Sequence, residues 1–287
     1  MALNIVNDPL EKWIWRNPQP QGNDIESLLV HDGQYYAVAT GGESTLLRST
    51  DGNVWQSIEL PGEMRVFDMT YGNGQFVAVG QGGGSSWDPK PILTSSDGIS
   101  WTKHLVDFGF GTPQSIEFSN GRYALRTGDR DIWYSLNGTD WQKSSLSGIG
   151  ALRSGNGRFL ALKLSSGSYA KTVYSSSDGA TWEEATIPSE TWPYWEFCHF
   201  VDGYFYVNFS PDVFRSADGI TWEFIGSGGL KEVMGGHNGE IFGIQNGNYS
   251  YSTTATLPNW SSAETIRGAN SQKAITHAVM GPDRIVL

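Results

Sequence analysis

Two carboxylates, Asp68 and Glu117, two histidines, His199 and His277, and the guanidinium of Arg153 each lie a few residues upstream of a short Gly-containing turn. A carboxylate pair is what glycoside cleavage uses, one as general acid and the other as nucleophile or base. Histidines at neutral pH shuttle protons or bind metals. The five histidines (31, 104, 199, 237 and 277) are scattered and no two stand at ligand spacing, so neither a metal nor a cofactor is expected. A second group is aromatic: Trp87, Phe108, Phe110, Trp192, Tyr194 and Trp195. Such rings add contact area and a polar handle at low entropic cost, for sugars and peptides alike. Everything then depends on which elements bring these residues together.

Composition narrows those elements. Charged residues are only 17% of the 287, while Gly reaches 36 and Trp 12. Few charges with many glycines and aromatics read as all-β with tight turns. The net charge of -11 argues against nucleic acid and against anionic membrane surfaces, which want a basic footprint. One cysteine, Cys198, excludes an internal disulfide and a Cys-based metal cluster and reads as an inert buried thiol. Apolar runs are too short to insert in a membrane. Residues 1–8 lack a basic region followed by an apolar core, so no signal peptide is expected. A cytoplasmic, virion-associated or mature secreted protein, bacterial or phage, all remain open.

A repeat decides the fold class. Ser49-Thr50-Asp51-Gly52-Asn53-Val54-Trp55 recurs as Ser95–Trp101, Ser135–Trp141, Ser176–Trp182 and Ser216–Trp222, with a degenerate copy ending at Trp260. The period is about 40 residues. Upstream of each copy, an Asn-Gly or Asp-Gly pair (32–33, 73–74, 120–121, 156–157, 202–203 and 238–239) precedes an apolar alternation such as Phe76-Val77-Ala78-Val79. Asn-Gly and Asp-Gly between alternating strands signal type I′ hairpins, because both turn residues need positive φ. Each unit therefore reads as strands A, B, C and D of a propeller blade. Six units run from Ile25 to about Glu264. Residues 274–287 look like a lone A–B pair and residues 1–17 like a lone C–D pair. Joined, they restore the period. The expectation is one domain over 1–287, a seven-bladed β-propeller of four-stranded antiparallel blades closed by a composite blade from both termini, with a six-bladed ring as the alternative.

The Ser-x-Asp-Gly-x-x-Trp copies resemble the Asp-box, or BNR, repeats of sialidases and many bacterial propellers, across essentially the whole chain. They depart from the common form, which has one more residue between Asp and Gly. The resemblance implies a scaffold in which Asp and Ser satisfy turn amides and Trp packs between blades. It does not extend to sialidase chemistry. The Arg-Ile-Pro motif that opens a sialidase is here Trp15-Arg16-Asn17-Pro18. Photosystem II assembly-factor propellers, two-propeller xyloglucan-cleaving enzymes, propeller lectins and phage tail proteins share the look, and a fold alone implies no function.

In such a blade the B–C and D–A loops share one face and the short turns the other. The extra residues all fall in the first group. The loop 80–91 carries Trp87, the loop after Trp101 carries Phe108 and Phe110, and the loop after Trp182 carries Trp192, Tyr194 and Trp195. Long loops on a rigid scaffold are where function sits. These six are the expected ligand-binding surface, unless they pack together and plug the rim. His31 and His237, next to A–B turns, are read as solvated. Asp68, Glu117, Arg153, His199 and His277 fall near the axis, as an acid–base set or as the polar lining of a water-filled channel. The leading reading is a non-catalytic module presenting its aromatic loop face to a glycan or protein partner. The alternatives are a hydrolase, lyase or cyclase acting on a carbohydrate or small molecule at the channel mouth, through Asp68, Glu117, His199 and His277, and an assembly or virion scaffold.

Overall fold

The turns build the hairpins that the sequence asks for. The computed structural model describes residues 24–40, 45–52, 54–163, 172–188, 195–209 and 212–227, with short backbone segments at 2–4, 13–14, 232–237, 240–245, 248–253, 264–265, 279–280 and 284–286. Among the described residues every element is a strand or a turn, and no helix is long and apolar enough to cross a membrane.

Five consecutive blades each hold four antiparallel strands in the order A-B-C-D. Blade I comprises Asp24–His31, Gln34–Thr40, Thr45–Ser49 and Gln56–Ile58. Blade II comprises Met64–Gly72, Gln75–Gly82, Lys90–Ser95 and Thr102–Val106. Blade III comprises Pro113–Ser119, Arg122–Thr127, Asp131–Ser135 and Gln142–Ser147. Blade IV comprises Ile149–Gly155, Arg158–Lys163, Thr172–Ser176 and Glu183–Thr186. Blade V comprises Trp195–Val201, Tyr204–Phe209, Asp212–Ser216 and Glu223–Ser227.

The blade count corrects the sequence expectation. The structure supports an all-β propeller of five full blades, which overturns the expected seven-bladed ring and its six-bladed alternative. The remaining strands form two slighter sheets. In one, Glu232–His237, Glu240–Gln245 and Asn248–Thr253 meet only the two-residue strand Glu264–Thr265. In the other, Trp13–Ile14, Ala2–Asn4, Arg284–Val286 and Val279–Met280 pair in that order. The repeat count overreaches because its signature sits in hairpin turns, which predict that two strands meet but not that successive hairpins build a full blade.

Turn chemistry is uniform through the full blades. Asp32, Asn73, Asn120, Asn156 and Asp202 all have φ of 47–49° and each precedes a glycine of positive φ, as type I′ turns require. At each C–D turn the serine hydroxyl does two jobs. Ser95 Oγ accepts from Gly98 N at 2.8 Å and donates to Asp97 Oδ1 at 2.9 Å. Ser176 and Ser216 repeat this with Gly179 and Asp178 and with Gly219 and Asp218. The Asp97 carboxylate in turn accepts from the amides of Ile99 and Ser100 at 2.8 and 2.7 Å. Trp141 and Trp182 close their turns by donating Nε1 to the carbonyls of Gly138 and Gly179, both at 3.0 Å.

Blades then lock to one another. Asn73 Nδ2 reaches from blade II to the carbonyls of Gly121 and Leu136 in blade III, and Asn156 Nδ2 from blade IV to Gly203 and Ala217 in blade V. Between blades II and III the core holds Val77, Val79, Ile92, Phe108, Ile116, Tyr123 and Leu125. His31 is no solvated residue: its ring stacks on Tyr71 of the next blade at 3.4 Å and meets the edge of Phe76. The A strands of successive blades face one another around the axis, and each of the first four carries a register shift at one place, between Ile25/Ser27, Val66/Asp68, Pro113/Ser115 and Ile149/Ala151. A bulge re-aims side chains. Here the bulged residues Glu26, Phe67, Gln114 and Gly150 all line the central cavity.

Candidate functional site

The described structure offers two places for chemistry: a cavity between the inner strands and an aromatic pair on the loop rim. The cavity has a volume of about 700 Å³, within the range of small-molecule sites. Asp68, Glu117, Arg153 and His199 line it together, on strands A of blades II, III, IV and V. His277 lies outside the described residues.

Geometry separates the two carboxylates. Asp68 is fully engaged. Its Oδ1 accepts from Ser27 Oγ at 2.6 Å and Met69 N at 2.9 Å, and its Oδ2 accepts from Ile116 N at 2.9 Å. One side chain thus ties blades I, II and III. Burial pushes its pKa up, against the pull of those bonds. This makes Asp68 a structural clasp and removes it as a free partner in an acid–base pair. Glu117 is different. Ser154 Oγ donates to its Oε2 at 2.7 Å, and Arg153 Nη1 stands 3.9 Å from its Oε1. Burial, with Asp68 adding like-charge repulsion, outweighs Arg153 and pushes its pKa up to about 7, where a carboxyl both holds and releases a proton. Arg153 is committed to the scaffold as well, donating Nε to the Cys198 carbonyl at 2.9 Å and Nη1 to that of Leu152 at 2.7 Å. Burial drives the Cys198 thiol up to about 12, so it is an unreactive thiol. Among the described residues no group of three His, Cys, Asp or Glu gathers as a metal site would need.

At the rim, loops from adjacent strands meet. Trp87, 70% exposed, and Phe110, 56% exposed, touch ring to ring with centroids 3.8 Å apart at 61°. The loop under Trp87 is held from below. Lys90, almost wholly buried, donates its ammonium to the carbonyls of Ser85, Ser86 and Asp88. Asp88 Oδ2 accepts from Ser85 N at 2.6 Å, and Ser85 Oγ from Trp87 N at 3.3 Å. The Phe110 loop is pinned by Asp107 Oδ1, which accepts from Gly109 N at 2.8 Å. Phe108 does not belong to this surface. It is 3% exposed and packs edge-on to Trp133 at 5.1 Å, inside the core between blades II and III. Trp192 and Tyr194 lie outside the described residues. Trp195 opens strand A of blade V, and its side chain lies outside them too.

Sequence reading passed over three residues. Lys90 organises the rim loop from inside. Ser115 and Arg126 face each other across strands A and B of blade III and both line the cavity. A signal for Arg126 existed: the matching positions of blades I, II and IV hold Val38, Val79 and Leu162.

Comparison with known proteins gives the fold a family. The family described as the DUF6242 beta propeller domain matches residues 127–273, just over half of the chain. The chain belongs to the DUF6242 β-propeller family. No curated protein matches this DUF6242 propeller. Among solved structures it is similar to YCF48 bound to D1 peptide, with 18% identity, a TM-score of 0.61 and coverage of 83% of this chain and 80% of that one. It is similar to a streptogramin B lyase, with 12% identity, a TM-score of 0.70 and 94% of each chain covered. It is also similar to the catalytically inactive virginiamycin B lyase from Staphylococcus aureus solved with quinupristin, with 11% identity, a TM-score of 0.69 and coverage of 99% and 97%. At such identities the likeness concerns the fold.

Proposed function

We propose that this DUF6242 propeller is a non-catalytic ligand-binding module, and that its loop face presents Trp87 and Phe110 to a glycan or protein partner. One observation carries the reading. Two large rings stand in solvent, in edge-to-face contact, on loops whose backbone is fixed from beneath by Lys90, Asp88 and Asp107. Exposed large rings on a rigid rim mark a recognition surface. Pre-ordered aromatics bind at low entropic cost, and a buried lysine spent on holding a loop is an expense that folding alone does not call for. A propeller of similar fold binds a peptide, which favours a protein segment over a sugar as the ligand here. The Ser-x-Asp-Gly turns support the reading as an Asp-box type of scaffold on the opposite face, a single domain over 1–287 holding the loops still.

The test is a peptide library and a glycan array probed side by side with the wild-type protein, Trp87→Ala and Phe110→Ala. The expected result is saturable binding to one class that both variants lose. Binding unaltered in both variants would overturn the assignment of this face.

A further inference from the structure

Arg126 breaks the repeat in a way that its surroundings do not repay. At the equivalent position of strand B, blades I, II and IV carry Val38, Val79 and Leu162, all buried in the apolar layers between blades. Blade III puts a guanidinium there. The cavity holds three arginines, and two have partners of opposite charge: Arg65 lies 3.7 Å from Glu26, and Arg153 lies 3.9 Å from Glu117. Among the described residues Arg126 has no carboxylate within ion-pair distance. Its Nη1 donates to the Thr127 carbonyl at 3.3 Å, and its buried Nε has no partner. Directly across the ladder, Ser115 Oγ is also buried without a partner. Burial, together with Arg153 and Arg130, pulls the Arg126 pKa down, as an under-compensated cation requires.

We propose that the central cavity is a second ligand site, independent of the loop face, and that it takes the carboxylate of a small organic anion on Arg126 Nε and Ser115 Oγ. The two orphaned groups are neighbours in one ladder and both can donate to an oxygen. The Nε edge of a guanidinium is one that grips a carboxylate in a two-bond fork. A neutral ligand would leave the half-buried charge unanswered, whereas a carboxylate answers it. The volume of about 700 Å³ limits the guest to a small molecule or a chain end. The carboxyl of Glu117 and the polar groups of Gln114 and Thr70, which also line the cavity, can serve hydroxyl or amino groups on the rest of it.

The experiment is calorimetric titration and thermal-shift measurement of the full chain with acetate, succinate and citrate, with sulfate and glucose as comparison ligands. At least one carboxylate should bind saturably, more tightly than sulfate, while glucose does not bind. Arg126→Gln should weaken it by about tenfold or more and Ser115→Ala by about threefold or more, as the loss of an ion pair with its hydrogen bonds, and of one hydroxyl–carboxylate bond, does. Arg126→Val, which restores the residue of blades I and II, should abolish binding while the protein melts no lower than wild type. That combination is one a merely structural arginine would not give. Trp87→Ala should leave carboxylate binding unchanged, which separates this site from the loop face. The proposal fails if none of the three carboxylates binds, if sulfate binds as tightly, or if Arg126→Gln and Ser115→Ala both leave the affinity within twofold. Should Arg126→Gln not fold, Ser115→Ala decides alone.

Discussion

The two ends of this propeller treat their polar groups in opposite ways. On the turn face the same bonds recur blade after blade, serine to glycine amide and aspartate to the next two amides. In the cavity the backbone bulge recurs from blade to blade, but the side chains there and on the loop face do not. Among the described residues blade II alone has a lysine-pinned loop, and blade III alone puts an arginine opposite the A-strand bulge, where Arg126 Nε and Ser115 Oγ stand without partners. In a repeat protein each copy of a structural device solves the same problem, so it keeps the same form. A feature found in one blade only, at a cost the others avoid, is there for something outside the fold. The pKa values follow this division. Amides of Ser100 and Ile99 hold Asp97 down at about 2. In the cavity, burial pushes Glu117 up to about 7 and Asp68 upward as well.

Substitution should break this comparison most sharply within one loop. Phe108→Ala is expected to cost about 3–5 kcal/mol, the range for emptying a buried aromatic site, because Phe108 fills the layer against Trp133 and Trp141. Urea titration would measure it. A loss below about 1 kcal/mol would mean that the ring is not core. Next comes the turn face. Ser176→Ala leaves the Gly179 amide buried and unpaired and removes two bonds with Asp178, one to its carboxylate and one from its amide. About 1–3 kcal/mol should be lost, and the matching change at Ser95 or Ser216 should cost the same within experimental scatter. Unequal costs would show that the copies are not equivalent.

The pH dependence of stability should run in two directions. The folded-state pKa of Asp97 lies below its ordinary value of 3.8. The stability it contributes is therefore present above pH 4 and lost as pH falls toward about 2. The folded-state pKa of Glu117, about 7, lies above its ordinary 4.5. Its contribution is most favourable below pH 4.5 and is lost as pH rises through 7, because the unfolded chain ionises first. Glu117→Gln should therefore melt higher than wild type at pH 8 and show no such gain at pH 4.5. A constant difference between the two pH values would refute the raised pKa.

How much of this the sequence reveals depends on whether the cause is local. The type I′ turns are legible at Asn73-Gly74 or Asn156-Gly157 because positive φ is demanded within two residues. The serine and aspartate bonds are legible for the same reason, spanning two or three residues. The number of full blades is not, since the gathering of hairpins into a blade depends on partners far away in the sequence. Phe108 and Phe110 read alike because both sit in a loop with no alternation to assign a face. Asp68 and Glu117 also read alike, as inner-strand acids. What separates them is Ser27, forty-one residues upstream of Asp68, and Arg153, on strand A of the blade after that of Glu117. Arg126 was readable by aligning the blades to each other instead of searching for motifs.

The smallest expected effect on stability belongs to the residue given the largest role in binding. Trp87 is 70% exposed, and its main ring contact is Phe110, itself exposed. The loop beneath is held by Lys90 and Asp88 without help from the indole. Trp87→Ala should therefore shift the unfolding free energy by no more than about 0.5 kcal/mol, as surface changes do, against the severalfold larger loss at Phe108 two strands away. Lys90→Met supplies the contrast. It keeps the length of the buried stem but removes three charge-assisted bonds, so it should loosen residues 83–89 to proteolysis while Trp87→Ala leaves them intact. If Trp87→Ala proved as destabilising as Phe108→Ala, the indole would be packing and not presenting, and the loop face would lose its claim to recognition.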